Sequence, residues 1–275
     1  MIVEKFSVLM STYKNDNPLW LKEAIDSVYN QTIVPNEMII VHDGKVGEEL
    51  ISIVNDCINQ YNGIRFIGYE ENHGLGYALN YGLKHCNNDI VARMDSDDIC
   101  ATDRFEKELK ILKEDQSITI VGSNVYEFID KKNNIVCEKI VPETNKEIIK
   151  YSKKRSPFNH PSVMFRKKDI ESVGSYIELH RLEDYYLWYR LLKSGFKGYN
   201  IQENLLYMRT TDDFYARRGK GVLKSRMSLN RIMLHDKYIN VFEYVYINII
   251  YIINACIPNF IRKIIYKGFF RKKVK

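Results

Sequence analysis

The chain of 275 residues is short of what marks several protein classes. Its 14 Gly and six Pro are too few for a collagenous or linker-dominated chain, and neither an internal repeat nor a Gly/Ser-rich linker breaks it. Cysteine is sparse and odd in number. Cys57, Cys86, Cys100, Cys137 and Cys256 are widely spaced, so neither a zinc knuckle nor a redox motif is present, and a reducing compartment fits them. The opening MIVEKFSVLM lacks a basic start and carries Glu4 and Lys5 in its apolar stretch, so a secretory signal is not expected. Surplus charge is missing from most of the chain. The net +6 arises in residues 262–275, which hold seven Lys and Arg and no acid, leaving the remainder near neutral. Nucleic acid is therefore not an expected partner, because a polyanion binder spreads its positive field over a folded face.

What the chain does have is 45% hydrophobic and 28% charged residues, enough to bury a substantial core. The first half alternates strand-like and helix-like runs. Strands are expected at Phe6 to Met10, Met38 to Val41, Ile64 to Ile67 and Ile90 to Ala92. Between them lie a helix opened by Asn17-Pro18, one through Leu50, Val54 and Cys57, and one from about Leu75 to Leu83. Such β-α-β alternation with continuous apolar strands predicts a mostly parallel sheet flanked by helices. Farther on the pattern is mixed: a helix through Phe105, Leu109 and Leu112, a strand near Ile118 to Val121, a hairpin around Lys131 to Asn134, a strand at Pro161 to Phe165 and a helix from Glu183.

Open sheets of this kind bind ligands beyond the carboxyl ends of their strands. Here every such position is polar: Ser11-Thr12-Tyr13, His42-Asp43-Gly44, Glu70 to Gly74, and Asp95-Ser96-Asp97-Asp98. Three carboxylates within four residues repel one another unless a cation compensates, and hard oxygen donors on one short loop suit Mg²⁺ or Mn²⁺. A solvated, helix-capping acidic turn is the plainer use of the same triplet. Asp43-Gly44 reads equally as a β-turn or as a carboxylate placed to accept an imide N–H of a base. The stretch Asn72 to Gly82 has its third glycine misplaced for a dinucleotide loop, and its small residues instead permit a helix to approach the sheet or a nucleotide closely. In Glu183 to Leu191, Asp184 shares a helical face with Leu187, Trp188 and Leu191. Burial there raises a carboxyl pKa, which suits a general base acting on an alcohol.

FSVLMSTYKND, IIVHDG, NHGLGYALNYGL, VARMDSDD, HPSVMFRK and LEDYYLWYRLLKSG, in that order over residues 6 to 195, resemble the family 2 glycosyltransferases of the GT-A fold. The resemblance implies a GT-A nucleotide-diphospho-sugar transferase domain over 1–210, its nucleotide half about 1–122 and its acceptor-facing half about 123–210, with a helical extension over 211–275. It implies an inverting, metal-dependent transfer from a nucleotide-sugar, UDP-sugar preferred, to a glycan hydroxyl. Thr12 and Asp43 are then expected at the base, lined by Asn72, Gly76 and Ala78, with Arg93 reaching the nucleotide. Asp95 is expected at the ribose and the metal, Asp97 on the metal, and Asp184 as the base. Glu183, His160 and Trp188 fall on the acceptor side. The usual Tyr-Arg-x-His segment is replaced by Tyr207-Met208-Arg209-Thr210, which puts a histidine metal ligand in doubt, and Arg217 and Arg218 are candidates for the diphosphate instead. A nucleotidyl- or phosphotransferase, and a non-catalytic sugar-nucleotide-binding or scaffold protein, are the alternatives.

Residues 241–261 approach the length of a membrane span but contain Glu243, Asn248, Asn254 and Pro258. Followed by the basic tail, the segment reads as an interfacial helix on anionic lipid, with packing on the domain or in a homodimer as its competing use. A lipid-linked acceptor and a cytoplasmic location, peripheral on the inner face of the membrane, are the matching expectations.

Overall fold

The computed structural model describes residues 5–210 and 220–256. Four parallel strands form its first half: β1 (Phe6–Thr12), β2 (Glu37–Asp43), β3 (Ile64–Tyr69) and β4 (Ile90–Asp95). They are joined by α1 (Pro18–Tyr29), α2 (Glu48–Gln60) and α3 (Leu75–His85). Asn17 caps α1, accepting from the amides of Leu19 and Trp20, with Pro18 in the first turn where its missing N–H costs nothing. Each strand runs two or three residues past its expected end, so Thr12, Asp43 and Asp95 sit on the last strand residues.

After β5 (Ile99–Cys100) and α4 (Arg104–Glu114) come β6 (Ile118–Phe128) and β7 (Ile135–Lys139), the expected hairpin. They are followed by α5 (Asn145–Ser152), β8 (Met164–Arg166), α6 (Lys167–Ser172), α7 (Glu183–Lys193) and β9 (Lys197–Arg209). Two helices close the described chain, α8 (Lys220–His235) and α9 (Val241–Cys256). The sheet order is β3-β2-β1-β4-β8-β6-β9-β5, with β7 beside β6. At Pro161 the structure has a 3₁₀ turn, His160–Ser162, in place of a strand start, because proline cannot donate to the ladder.

Alternate residues of each central strand face opposite sides. Val8, Met10, Met38 and Ile40 pack against α1, α2 and α4; Leu9, Ile39, Val41 and Val91 pack against α3 and α7. Gly82 lets α3 lie directly on the sheet: a Cβ there would stand 2.3 Å from Leu9 Cδ1 and 2.7 Å from Val41 Cγ2. A third cluster joins the outer face of α7, through Tyr185 and Tyr189, to Leu229 and Met233 of α8 and Ile247 of α9. Strand order reverses at β1, flanked by β2 and β4, and the registers set Ser11 beside Asp95 and Thr12 beside His42. The polar strand ends therefore share one rim at a topological switch point.

Candidate active site

The carboxylate of Asp43 is a hub. Its Oδ1 accepts from Tyr69 Oη (3.0 Å) and the His73 amide (2.8 Å), its Oδ2 from Asn72 Nδ2 (2.8 Å) and the Gly74 amide (2.9 Å). All four of its acceptor positions are thus met by Tyr69 at the end of β3 and by the loop joining β3 to α3, so an imide donor would have to share a position already in use. Gly44 takes φ +82° with Asn72 close above it, which explains glycine at the turn. His73 lies between Tyr69 and Tyr77, with ring centroids 5.4 and 4.6 Å away.

At the neighbouring strand end, Asp95, Asp97 and Asp98 bring ligand oxygens within 4.8 Å of one another. Arg93, 1% exposed, makes a close ion pair with Asp95. Burial, then the charges of Asp95 and Asp16, push Asp97 up to about 7 against the pull of Arg93 and Arg209. Asp98 is raised well above the usual carboxyl range, again first by burial and then by Asp97 and Asp95. Its Oδ1 accepts the Arg209 amide (2.8 Å), while its Oδ2 is buried with no hydrogen-bond partner. A partnerless buried carboxylate oxygen beside two further carboxylates fits a hard divalent cation, and a solvated acidic turn does not describe it.

Two residues that sequence reasoning did not assign complete this corner. Asp16 accepts from Ser96 Oγ at 2.6 Å and from the Tyr13 amide at 3.3 Å, and burial raises its carboxyl. Arg209, at the end of β9, donates through Nε to the Asp97 carbonyl (2.9 Å), pairs with Glu23 (2.5 Å), and lies over the rings of Trp20 and Phe128. The segment that departs from the usual histidine thus supplies an arginine that braces the acidic turn from behind. Its only sequence signal was that departure.

Asp184 sits in the first turn of α7, half-buried, with Leu187, Trp188 and Leu191 buried on the same face as expected. Burial is the largest cause raising its carboxyl, and Glu183 adds to it, while the Tyr185 amide, Lys139 and Arg93 oppose. Arg93 is the common neighbour: its charge acts on Asp97, Asp98, Asp184 and His160. The Tyr176 phenol feels both Asp184 and Asp95. The acidic triplet and Asp184 thus lie within the electrostatic reach of the same arginine, and Asp95 and Asp184 within that of the same phenol. His160 accepts from or donates to Tyr176 Oη at 2.9 Å, and burial, with Arg93, depresses its imidazole well below the usual histidine range.

Several expected positions differ. Trp188 is 0% exposed and packs edge-on to Phe158 and His160, so it backs the histidine from inside the core and does not face an acceptor. Ala78 is buried against the sheet, too deep to line a nucleotide pocket. Gly76 abuts Glu183, where a Cβ would lie 3.2 Å from Cγ, so it brings α3 and α7 together at the cleft. Thr12 is buried at the rim, where its hydroxyl acts on the Asp16 carboxyl, and Asn72 is exposed and donates to Asp43. Arg217 and Arg218 lie outside the described residues.

Comparison with known proteins accords with this architecture. The sequence pattern described as "Glycosyl transferase family 2" matches residues 7–174. A UDP-Gal:alpha-D-GlcNAc-diphosphoundecaprenol beta-1,3-galactosyltransferase of Escherichia coli is 41% identical over 98% of this chain and 97% of its own. An amylovoran biosynthesis glycosyltransferase of Erwinia amylovora is 36% identical over 83% of this chain and 85% of its own. Among solved structures, a mannosyltransferase of Pyrobaculum calidifontis in complex with GDP-Man and Mn²⁺ superimposes with TM-score 0.68 at 15% identity, covering 93% of this chain and 71% of that one. The fold is GT-A, and the enzymatic alternative of a nucleotidyl- or phosphotransferase falls away. With a matching pattern over residues 7–174, more than half of the chain, and relatives along nearly its whole length, the chain belongs to glycosyl transferase family 2, and it is a glycosyltransferase.

Proposed function

We propose that this enzyme transfers a sugar from a UDP-sugar to a hydroxyl of a lipid-linked glycan, with inversion, in the assembly of a bacterial surface polysaccharide. The observation that carries the reading is the cluster of Asp95, Asp97 and Asp98 at the strand ends, with the charge of Arg93 acting on both that cluster and Asp184. UDP-galactose and a diphosphoundecaprenol acceptor are named for the relative with 41% identity, and GDP-Man with Mn²⁺ for a structural neighbour. They support the donor class, the lipid-linked acceptor and a divalent ion here.

In this reading Asp97 and Asp95 hold Mn²⁺ or Mg²⁺, with the unpartnered Oδ2 of Asp98 as a further donor. When bound, the ion supplies neutralising charge for the departing diphosphate. Thr12 and the loop organised by Asp43 and Asn72 receive the base, and Arg93 holds Asp95 toward the ribose. Asp184 takes the proton of the acceptor hydroxyl as its oxygen bonds to the sugar's anomeric carbon and the bond to diphosphate breaks, so one displacement inverts the configuration. Glu183 and His160 border the acceptor. Residues 262–275, outside the described residues, supply basic side chains for the inner face of the membrane.

Asp184→Asn tests the assignment. Donor binding by calorimetry should stay near that of the unmodified enzyme while transfer falls at least about a hundredfold. Near-normal turnover would move the base elsewhere.

A further inference from the structure

Helix α9 has 16 residues, and its two sides are unlike. At 3.6 residues per turn, Phe242, Val245, Tyr246, Ile249, Ile250 and Ile253 fall within one half of its circumference, and all are exposed, Phe242 by 87%. That half carries no charge. The opposite half is fixed to the protein: Ile247 packs into the cluster with α8, Asn248 accepts from Asn230 at 2.8 Å, and Tyr251 donates to the Lys154 carbonyl at 3.1 Å. Arg226 of α8 lies over the rings of both Tyr185 and Tyr251, tying this helix to α7, which bears Asp184 at its start.

Two observations say what covers the apolar half. A helix–helix seam is a narrow stripe, whereas this face spans half a cylinder. The charge on α8 and α9 is also positive on balance. The two acids of residues 220–256 are both occupied, Asp236 by Lys193 (2.6 Å) and Glu243 by Lys153 (3.1 Å), while Lys224 and Arg231 are exposed and Lys154 sits over the Tyr246 ring at 5.5 Å. The sequence then runs into the seven cations of 262–275. Two copies would bring like charge together, but an anionic surface with an apolar interior complements both features. No helix among the described residues is long and apolar enough to cross a membrane.

We infer that the exposed half of α9 lies in the boundary between headgroups and acyl chains of an anionic bilayer, and that its docking on α7 sets the cleft at a fixed height above the lipid. This deepens the proposed function, resting on it only for the use of a lipid-linked acceptor.

The test uses the full chain. Cys256 is the exposed cysteine, on the same half of α9, whereas Cys57, Cys86, Cys100 and Cys137 are buried, so an environment-sensitive dye can be attached there. Vesicles containing phosphatidylglycerol should shift its emission to the blue and sediment the protein, and pure phosphatidylcholine vesicles should do so much less. Replacing Phe242, Ile249 and Ile253 together by Ser should lower vesicle partition at least about tenfold. A folded triple variant that still sediments normally overturns the inference. So does an unshifted dye on the unmodified chain with anionic vesicles, however the variant folds. Loss of a dimer in analytical ultracentrifugation with vesicle binding intact assigns the face to a second copy and also overturns it. None of these readouts involves sugar transfer, so a vesicle-bound but inactive protein would sink the proposed function alone.

Discussion

Arg209 shows how much of the site depends on a residue that does not face the ligand. Its guanidinium reaches the Asp97 carbonyl, Glu23 and two aromatic faces, and its amide holds Asp98. Lysine keeps the charge but offers no planar fork for these partners. Arg209→Lys should therefore weaken Mn²⁺ binding about tenfold, the scale of outer partners at metal sites, with circular dichroism unchanged. Unaltered Mn²⁺ affinity in a titration would show that the turn holds itself. Asp97 and Asp184 were legible in the sequence because each belongs to a short run whose acids are costly without a purpose. Arg209 and Asp16 were not, because their partners Asp97 and Ser96 lie 112 and 80 residues away. Trp188 was legible as core and misread as acceptor-facing, since a helical face does not tell which neighbour covers it.

The elements were legible where pattern and burial agree. The strand ends were not, because Thr12, Asp43 and Asp95 break the apolar run at the edge where ligand-facing residues belong. β9 was missed altogether. Its sequence KGYNIQENLLYMR alternates poorly, since buried Asn200 spends its amide on the carbonyls of Pro142 and Pro157 instead of facing water. The small residues of α3 were read correctly as allowing close approach. Gly82→Ala should accordingly destabilise the fold by about 1–3 kcal/mol through overpacking against Leu9 and Val41, measured as a lower urea midpoint at unchanged slope. An unchanged midpoint would mean that the helix shifts freely on the sheet.

Across the whole molecule, several carboxyls are held above their ordinary range. Burial raises Glu108, ion-paired with Arg104 at 3.0 Å, to about 7, the same region as Asp97. Both groups keep protons in the folded chain that the unfolded chain has already released. Stability therefore falls as pH rises from the ordinary carboxyl range near 4 to the folded value near 7, by on the order of 1 kcal/mol per pH unit, and levels off above it. His160, depressed by burial, restores stability as pH rises toward its ordinary 6.5, so it offsets part of the fall below that value and none of it above. In chelator, the melting temperature should drop by a few degrees, roughly, over that interval, and Mn²⁺ at the upper end should restore it. A flat profile would mean that the acids are ionised without a cation.

The division expected near residue 210 falls where the sequence pattern changes, yet α7 turns one face to the sheet and the other, through Tyr185 and Tyr189, to α8 and α9. An engineer who exchanged the last sixty or so residues between relatives to redirect acceptor choice would be grafting half of a joint. The graft would have to bring the outward-facing tyrosines of α7 with it, and a fragment cut before α8 would present those rings to water and precipitate before it could be assayed.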